Sequence, residues 1–519
     1  MVKPKRRNIR TNLLGCALGL VGGLATATAF PRLGIWPLAP VGVALLLQAL
    51  TMLGGGVGYV AATLWATAFF APHFHFAAVS AGTTEWLLLV AASALLWGLI
   101  GPAWAGIRKL IKQHPGATPW LFALVFVGME QLRAVFPYGG FPWGRLAFSQ
   151  ASAPTAHLAY LGGAPLVSLA CALGGGLLFA AAHHLVQGRT WRCVGVACLL
   201  LAVILGPGLI NLPSDSQDGQ LRLGAVQGNV PHDPNLSISQ ERRQVLENHL
   251  MGHQRLLDKA GNQKLDLVIW PEDSVDNDPQ TTPAEAALIA EAAKNSGTAL
   301  LIGSQEYPAS GGRYNVSLLF DGEQIIGRYA KRHPVPFGEY LPLRSLAKLV
   351  SRNSSAIVTD MLPGDQVGLL KAPVARLGEN INLGVVICFE VAYDSLVSDT
   401  INAGAQLLIV QTNNASFGTS DQSVQHLAMS RLRAIEHGRS VVHISTTGQS
   451  ALISPSGVLL DQSEYWQPAE LIANLPLRHS KTWGTRLSGP LGWFCGTATA
   501  LLAAIRVVSA LGKRRKESK

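Results

Sequence analysis

Two kinds of hydrophobic patterning divide this 519-residue chain. Up to about residue 211, and again near the C-terminus, apolar positions run on for about 20 residues at a stretch, the length a helix needs to cross a bilayer. Seven such segments precede the polar region, at about 13–31, 34–52, 54–72, 86–107, 119–137, 159–186 and 193–211, and an eighth lies at about 488–511. Pro and Gly interrupt the second, third and fifth. From Leu221 the pattern changes to short β-rich runs separated by helical stretches. Strands are predicted at 221–226, 265–269, 299–302, 314–320, 324–329, 383–387, 407–411, 441–445 and 450–453. Asp321-Gly322 separates two of them as a hairpin turn. Thr282-Pro283-Ala284-Glu285 opens a helix with an N-cap, Pro at the first position and Glu at the third. It runs to about residue 295 and stops before Gly297, and a second helix over about 422–437 stops at Gly438. Mixed strands, helices and hairpins over about 260 residues predict a two-sheet α/β sandwich with helices outside. The domain reading is therefore a multi-pass α-helical membrane domain at 1–211, an α/β domain at 212–487, and an eighth span with a basic tail at 488–519.

Charge then orients the chain. Only 14% of residues are charged and 49% are hydrophobic, against roughly 25% charged in ordinary globular chains. Lys3, Lys5, Arg6, Arg7 and Arg10 precede the first span. Arg108, Lys109 and Lys112 follow the fourth, Arg189 and Arg192 the sixth, and Lys513, Arg514, Arg515, Lys516 and Lys519 the eighth. The alternate loops hold few, such as Arg32 and Arg145. Basic residues accumulate on the cytoplasmic side, so both termini are expected inside. Seven crossings then place residues 212–487 outside the cytoplasm, without ready access to ATP. The formal net charge of +10 sits largely in these anchoring loops and is no argument for nucleic acid. Leu13-Leu14-Gly15-Cys16 resembles a lipoprotein processing site, but the apolar run continues past Cys16 instead of preceding it, as in a first membrane span.

Within the polar region Cys388 is the lone cysteine. Cys16, Cys171, Cys193, Cys198 and Cys495 all lie in apolar segments. Cys388 closes the strand Leu383-Gly384-Val385-Val386-Ile387 and is followed two residues later by Glu390. A thiol with no disulfide partner at a strand-to-loop junction is a candidate nucleophile, although a buried Cys also serves as a small hydrophobe. Two more ionisable residues stand at strand ends: Glu272 closes Leu267-Val268-Ile269-Trp270-Pro271, and Lys331 follows the second hairpin strand. Together they make coherent chemistry. A carboxylate takes the thiol proton, the thiolate attacks a carbonyl, and an ammonium stabilises the oxyanion.

At these residues the chain resembles the nitrilase, or carbon–nitrogen hydrolase, superfamily, whose signature is a Glu–Lys–Cys triad on an αββα sandwich. With membrane spans on both sides, the resemblance narrows to the apolipoprotein N-acyltransferases and covers nearly the whole chain. Supporting pieces are Gln227-Gly228-Asn229-Val230-Pro231, Trp270-Pro271-Glu272, Pro336-Phe337-Gly338-Glu339-Tyr340-Leu341-Pro342, Ile387-Cys388-Phe389-Glu390, the late helix with Arg431, Ala434, Glu436 and Arg439, and Phe141-Pro142-Trp143-Gly144 in the membrane half. The resemblance implies Glu272 as general base, Lys331 as oxyanion stabiliser and Cys388 as nucleophile. It implies Glu339 as a second carboxylate that orients Lys331 or relays the proton, with Phe389 and Glu390 shaping the substrate-binding region beside the nucleophile. It also implies a ping-pong reaction: an acyl chain leaves a membrane phospholipid, rests on Cys388 as a thioester, and passes to the α-amine of a diacylglyceryl N-terminal cysteine on an apolipoprotein. No cofactor is needed, because a thioester is reactive enough for amide formation without nucleotide or metal. The implied setting is a bacterial cytoplasmic membrane, and the implied state a monomer.

The chain departs from the family pattern twice. Phe389 stands where Tyr is common, and Asn413-Asn414-Ala415-Ser416-Phe417-Gly418 replaces the usual Asn-Asp-Ala-Trp-Phe loop, so altered lipid contacts or loop gating are expected with the chemistry intact. Other features carry bland readings. His73 and His75 lack a nearby third ligand, Cys193 and Cys198 lack metal spacing, and His333 is structural. Glu130 and Arg133 face each other at i,i+3 as a functional or a structural pair. Trp143 lines a lipid path or joins an interfacial belt. The Gly-rich stretches at 54–56 and 173–176 are read as close-packing helix surfaces. Two other functions compete: a membrane-tethered amidase using water as acceptor, and a scaffold without catalysis, against which the Glu272, Lys331 and Cys388 set argues.

Overall fold

The computed structural model describes residues 9–231, 233, 235–345 and 359–517. Lys3, Lys5, Arg6, Arg7 and Lys519, and the side chains of Lys513, Arg514, Arg515 and Lys516, lie outside the described residues. The chain forms two compact units. One holds the apolar helices up to Asn211 and from Arg486 onward; the other holds Leu212–Thr485 with the short segment Val79–Gly82.

Each predicted apolar segment is helical, with Ile9–Thr28, Leu38–Met52, Gly55–His73, Thr83–Gly98 continued by Ile100–Leu110, Thr118–Val135, Ala159–Val186, Thr190–Leu205 and Trp483–Glu517 in chain order. Among the described residues five helical stretches are long and apolar enough to cross a membrane: Ile9–Thr28, Thr83–Lys109, Pro154–Val186, Thr190–Leu209 and Trp483–Arg506. Leu38–Met52 is apolar but shorter. This marks the chain as a membrane protein, and the expectation of eight crossings goes beyond those five.

Two readings of this unit need correction. Of the two alternatives for Trp143 the interfacial belt fails, because the side chain is buried and packs against Phe76, with ring centroids 5.4 Å apart. Of the two glycine stretches, only the later one is close-packed at each of its glycines, Gly174, Gly175 and Gly176. A Cβ on Gly175 would come within 2.7 Å of Pro40 and Val43, and one on Gly176 within 2.7 Å of Pro119, whereas Gly56 faces open space. Glu130 and Arg133 are both buried and each serves the backbone of the next segment. Glu130 Oε1 accepts the Leu146 amide at 2.8 Å, and the Arg133 guanidinium donates to the Phe141 carbonyl.

The second unit is an αββα sandwich. Its strands are β1 (Gln220–Gln227), β2 (Leu267–Ile269), β3 (Ala299–Glu306), β4 (Tyr314–Asp321), β5 (Gln324–Ala330), β6 (Leu369–Val374), β7 (Glu379–Ile387), β8 (Leu407–Thr412), β9 (Val441–Ser445), β10 (Ala451–Ile453), β11 (Leu459–Gln462) and β12 (Ala469–Pro476). The first sheet runs β12-β1-β2-β3-β4-β5 and the second β11-β10-β9-β8-β7-β6. The parallel centres are β1, β2 and β3 in one sheet and β7, β8 and β9 in the other. Successive side chains of a strand face opposite ways. Leu221, Leu223, Ala225, Leu267 and Ile269 therefore meet Leu383, Val385, Ile387, Leu407 and Ile409 between the sheets. Their neighbours Val226, Val268, Leu300 and Ile302 face out onto Leu246 and Leu256 of the Ile238–Ala260 helix and Ile289 of the Pro283–Ser296 helix. Burial on both faces explains why these strands read as continuous apolar runs.

The predicted strands are all present, most within two residues, but β3 runs four residues past its predicted end and β7 starts four residues before its predicted start. The edge strands β6, β11 and β12 and the helices Ile238–Ala260 and Asp394–Asn402 were not predicted. The Pro283–Ser296 helix ends at Gly297 in the left-handed conformation, as the Gly implied, but its start differs from expectation. The Thr282 side chain makes no capping bond, and Glu285 instead accepts from the Asn277 side chain at 2.6 Å.

Candidate active site

Strand direction gathers the site. β2, β5, β7 and β8 end at Ile269, Ala330, Ile387 and Thr412, and the next few residues of each supply Glu272, Lys331, Cys388 and Asn413. The two sheets are tied together at this edge. Gln411 donates to the Trp270 carbonyl at 2.6 Å and accepts from the Ser317 hydroxyl at 2.5 Å, while the Asn413 amide donates to Glu272 Oε2 at 2.7 Å. Asn315 on β4 donates to Glu272 Oε1 at 2.6 Å. Gly303 on β3 lies so close beneath that a Cβ there would stand 2.5 Å from the Glu272 Cα.

Lys331 is fully buried between two carboxylates, with its Nζ 2.5 Å from Glu339 and 3.6 Å from Glu272. Burial alone favours its neutral form, but the Glu339 and Glu272 carboxylates outweigh this and hold its pKa above the ordinary lysine range. Glu272 is pushed up to about 7, mainly by burial; Lys331 pulls it back, while Asp273 and Glu339 add to the rise. Burial first, then the Glu272 charge, pushes the Cys388 thiol well above its ordinary value, with Lys331 and a hydrogen bond from Thr412 working the other way. The resting site thus holds a protonated thiol, a buried ammonium and a carboxylate whose proton affinity suits a general base near neutrality.

Cys388 has φ +54°, the left-handed region that non-glycine residues rarely occupy. The chain turns there from β7 into the single turn Cys388–Ala392. Glu390 over-determines that turn. Its fully buried carboxylate accepts from the Ile387 amide at 2.8 Å, the Tyr329 hydroxyl at 2.8 Å, and the Arg332 and His333 amides at 2.7 and 3.1 Å. One side chain therefore fixes both the segment that carries Cys388 and the segment that carries Lys331. Phe389 is buried, and its ring meets Tyr393 edge-on at 5.4 Å between centroids. His333 packs against the same Tyr393. Ser416 is exposed at the surface of the following loop.

Several supporting residues escaped sequence reasoning. Arg433 on the Gln422–His437 helix donates to the Val391 and Ala392 carbonyls at 2.9 and 3.0 Å and pairs with Asp394 and Glu436, clamping the turn from outside. His426 on the same helix reaches the Cys388 carbonyl at 3.0 Å. Thr412, the last residue of β8, has its hydroxyl 3.4 Å from Cys388 Sγ. A polar residue at a strand end next to the Asn413–Gly418 loop was the available signal for Thr412. Nothing in the helix pattern singled out His426.

Residues 22–177 match the family described as apolipoprotein N-acyltransferase N-terminal domain, and residues 222–484 match the carbon–nitrogen hydrolase family. The chain is 34% identical over 95% of its length to a protein of Mycolicibacterium smegmatis named apolipoprotein N-acyltransferase, spanning 85% of that relative. It is 30% identical over 90% of its length to a protein of that name from Pseudomonas syringae pv. tomato, spanning 92% of it. A third, from Geobacter metallireducens, is 27% identical over 96% of this chain and 95% of the relative. With the membrane helices, the αββα sandwich and both family matches in one chain, the protein belongs to the apolipoprotein N-acyltransferase family.

Proposed function

We propose that this protein moves an acyl chain from a membrane phospholipid, through a thioester on Cys388, to the α-amine of the diacylglyceryl N-terminal cysteine of an apolipoprotein. The observation that carries the reading is the convergence of three strand ends: a thiol on a strained turn beside a buried ammonium and a carboxylate with a pKa near 7. Glu272 takes the Cys388 proton, and the resulting thiolate Sγ attacks the ester carbonyl. The carbonyl π pair moves to oxygen, and Lys331, held by Glu339, stabilises that oxyanion. Collapse breaks the ester C–O bond, and Glu272 returns the proton to the leaving lysophospholipid oxygen. The acceptor amine then attacks the thioester and loses its proton to Glu272; the C–S bond breaks with its electron pair going to Sγ, and Glu272 returns the proton to sulfur, giving the amide and the free thiol.

In this reading Glu339 and Glu390 are positioning carboxylates, and Phe389 forms part of the substrate-side wall. The proposed organisation is residues 1–211 and 488–519 in a bacterial cytoplasmic membrane, both termini in the cytoplasm, and 212–487 outside it, in a monomer. The family explains the choice of substrates, and burial of the reacting groups supports a site that keeps water from the thioester.

The test is intact mass of detergent-purified protein after incubation with a defined phospholipid, beside Cys388→Ala, followed by a diacylglyceryl-cysteine peptide. An acyl-sized, hydroxylamine-labile adduct on wild type alone, passed to the peptide amine, is expected. An adduct that passes only to water identifies a hydrolase, and no adduct on folded protein overturns acyl transfer through Cys388.

A further inference from the structure

We infer that Thr412 is a further catalytic residue, its hydroxyl acting as a rotor that donates a hydrogen bond to Cys388 Sγ whenever the sulfur carries negative charge. This rests on the reading of Cys388 as the nucleophile. Thr412 Oγ1 is buried and stands 3.4 Å from Sγ, 3.1 Å from Asn414 Oδ1 and 3.3 Å from His426 Nδ1. The hydroxyl has one hydrogen and three places to put it.

The surroundings settle which neighbours can accept. His426 Nε2 lies 3.0 Å from the Cys388 carbonyl oxygen, which can only accept, so Nε2 carries the ring proton. Burial keeps that ring neutral, with a pKa near 4, and Nδ1 is therefore a bare acceptor facing Thr412. Asn414 Nδ2 donates to Ser423 Oγ at 3.2 Å, which turns Asn414 Oδ1 toward Thr412. Two fixed acceptors thus hold the hydroxyl hydrogen while the sulfur is a thiol or a thioester, the thiol being free to donate to Oγ1. When the sulfur becomes anionic, rotation about one C–O bond redirects the hydrogen to Sγ, with no proton changing owner.

Sulfur becomes anionic twice in the proposed cycle. It does so as the S–H proton passes to Glu272 before the S–C bond forms, and again as the C–S bond breaks and its electron pair returns to Sγ. Lys331 serves the oxyanion at those moments and is already bound to Glu339 and Glu272. A neutral donor that reorients costs little in desolvation and can serve each charged state in turn. The branched Cβ of Thr holds its χ1 at the end of β8, and His426 doubles as a positioning residue that ties the strained Cys388 carbonyl to the same hydroxyl.

The test compares Thr412→Val, which keeps the shape, Thr412→Ala, which cannot clash, and Thr412→Ser, which keeps the hydroxyl, in the full chain. Both half-reactions are followed by intact mass with phospholipid and then diacylglyceryl-cysteine peptide. Alkylation of Cys388 by iodoacetamide is followed against pH, with the other five cysteines resolved by peptide mass mapping. Loss of a hydrogen bond to a charged group should slow Val and Ala about 10- to 100-fold in both half-reactions and move the alkylation profile to higher pH, with Ser close to wild type. An unfolded variant is recognised because its thiol titrates as an ordinary exposed cysteine; Thr412→Ala decides if Thr412→Val does not fold. Val or Ala within twofold of wild type, or Ser falling as far as Val, overturns the inference while leaving Cys388 as nucleophile. An acyl adduct persisting on Cys388→Ala overturns the underlying reading instead.

Discussion

Glu390→Gln isolates the element that couples the two halves of the site. The native carboxylate receives four donors, three of them backbone amides that cannot become acceptors. An ionised carboxylate satisfies all four, because each oxygen accepts twice. A glutamine must place its NH2 at one of the two oxygen positions. Where Oε1 sits, the NH2 would meet the Arg332 and His333 amides. Where Oε2 sits, it meets the Ile387 amide and the Tyr329 hydroxyl, which alone can turn round and accept. The better orientation still leaves one buried amide facing a donor, a loss of about 1–3 kcal/mol, and weakens the remaining charge-assisted bonds by about 1 kcal/mol each. Relief of the buried charge, which raises the Glu390 pKa in the native protein, offsets part of this. A net local destabilisation of about 2–4 kcal/mol is expected. It should appear as hydrogen exchange on the order of 10²-fold faster in peptides covering Tyr329–Pro334 and Ile387–Ala392, while peptides of the β1 core stay unchanged. Since the same bonds fix Lys331 against Cys388, acylation of Cys388 should slow by about 10²-fold. Unchanged exchange in both segments, or unchanged acylation with faster exchange, would refute the coupling argument.

Four further outcomes follow from the same geometry. Acylation should rise with pH through about 7, as Glu272 loses its proton and becomes a base; a flat profile across that range removes Glu272 from the role. The stability sign is opposite. Because the fold raises this carboxyl's pKa from 4.5 to about 7, its contribution to stability is lost as pH climbs through that window, and Glu272→Gln should flatten this part of the pH–stability curve measured by thermal unfolding. Gly303→Ala brings a Cβ to 2.4 Å from the Pro271 carbonyl oxygen and 2.5 Å from the Glu272 Cα, so it should cost about 1–3 kcal/mol and lower acylation more than the same change at Gly322 in the β4–β5 turn, which meets nothing. Arg433→Lys keeps the charge but loses the fork that holds the Val391 and Ala392 carbonyls together with Asp394. Faster exchange confined to Cys388–Ala392, with the apolar core intact, is the expected result.

What the sequence determined by itself is the local part of this protein. Long apolar runs announce helices, and all eight such segments are helical, five of them, among the described residues, long and apolar enough to cross a membrane. The strands buried on both faces announced themselves as short apolar runs, and Glu272, Lys331 and Cys388 stood where such runs end. Gly297 and Gly438 marked helix stops because each adopts a left-handed backbone. The edge strands were hidden for a physical reason. β6 carries Lys371 and Pro373, and β11 alternates with exposed residues, so neither shows the buried-run signature. Only the tertiary structure decided which distant residues serve the site. Sheet register places β8 beside β7 and thereby Thr412 beside Cys388, 24 residues away. Helix packing brings His426 and Arg433 onto the Cys388 turn, and one carboxylate, Glu390, joins two segments about 60 residues apart in the chain. Periodicity reports how each segment buries its own apolar face. Hydrogen bonds across segments depend on how those faces meet, and no local pattern encodes that.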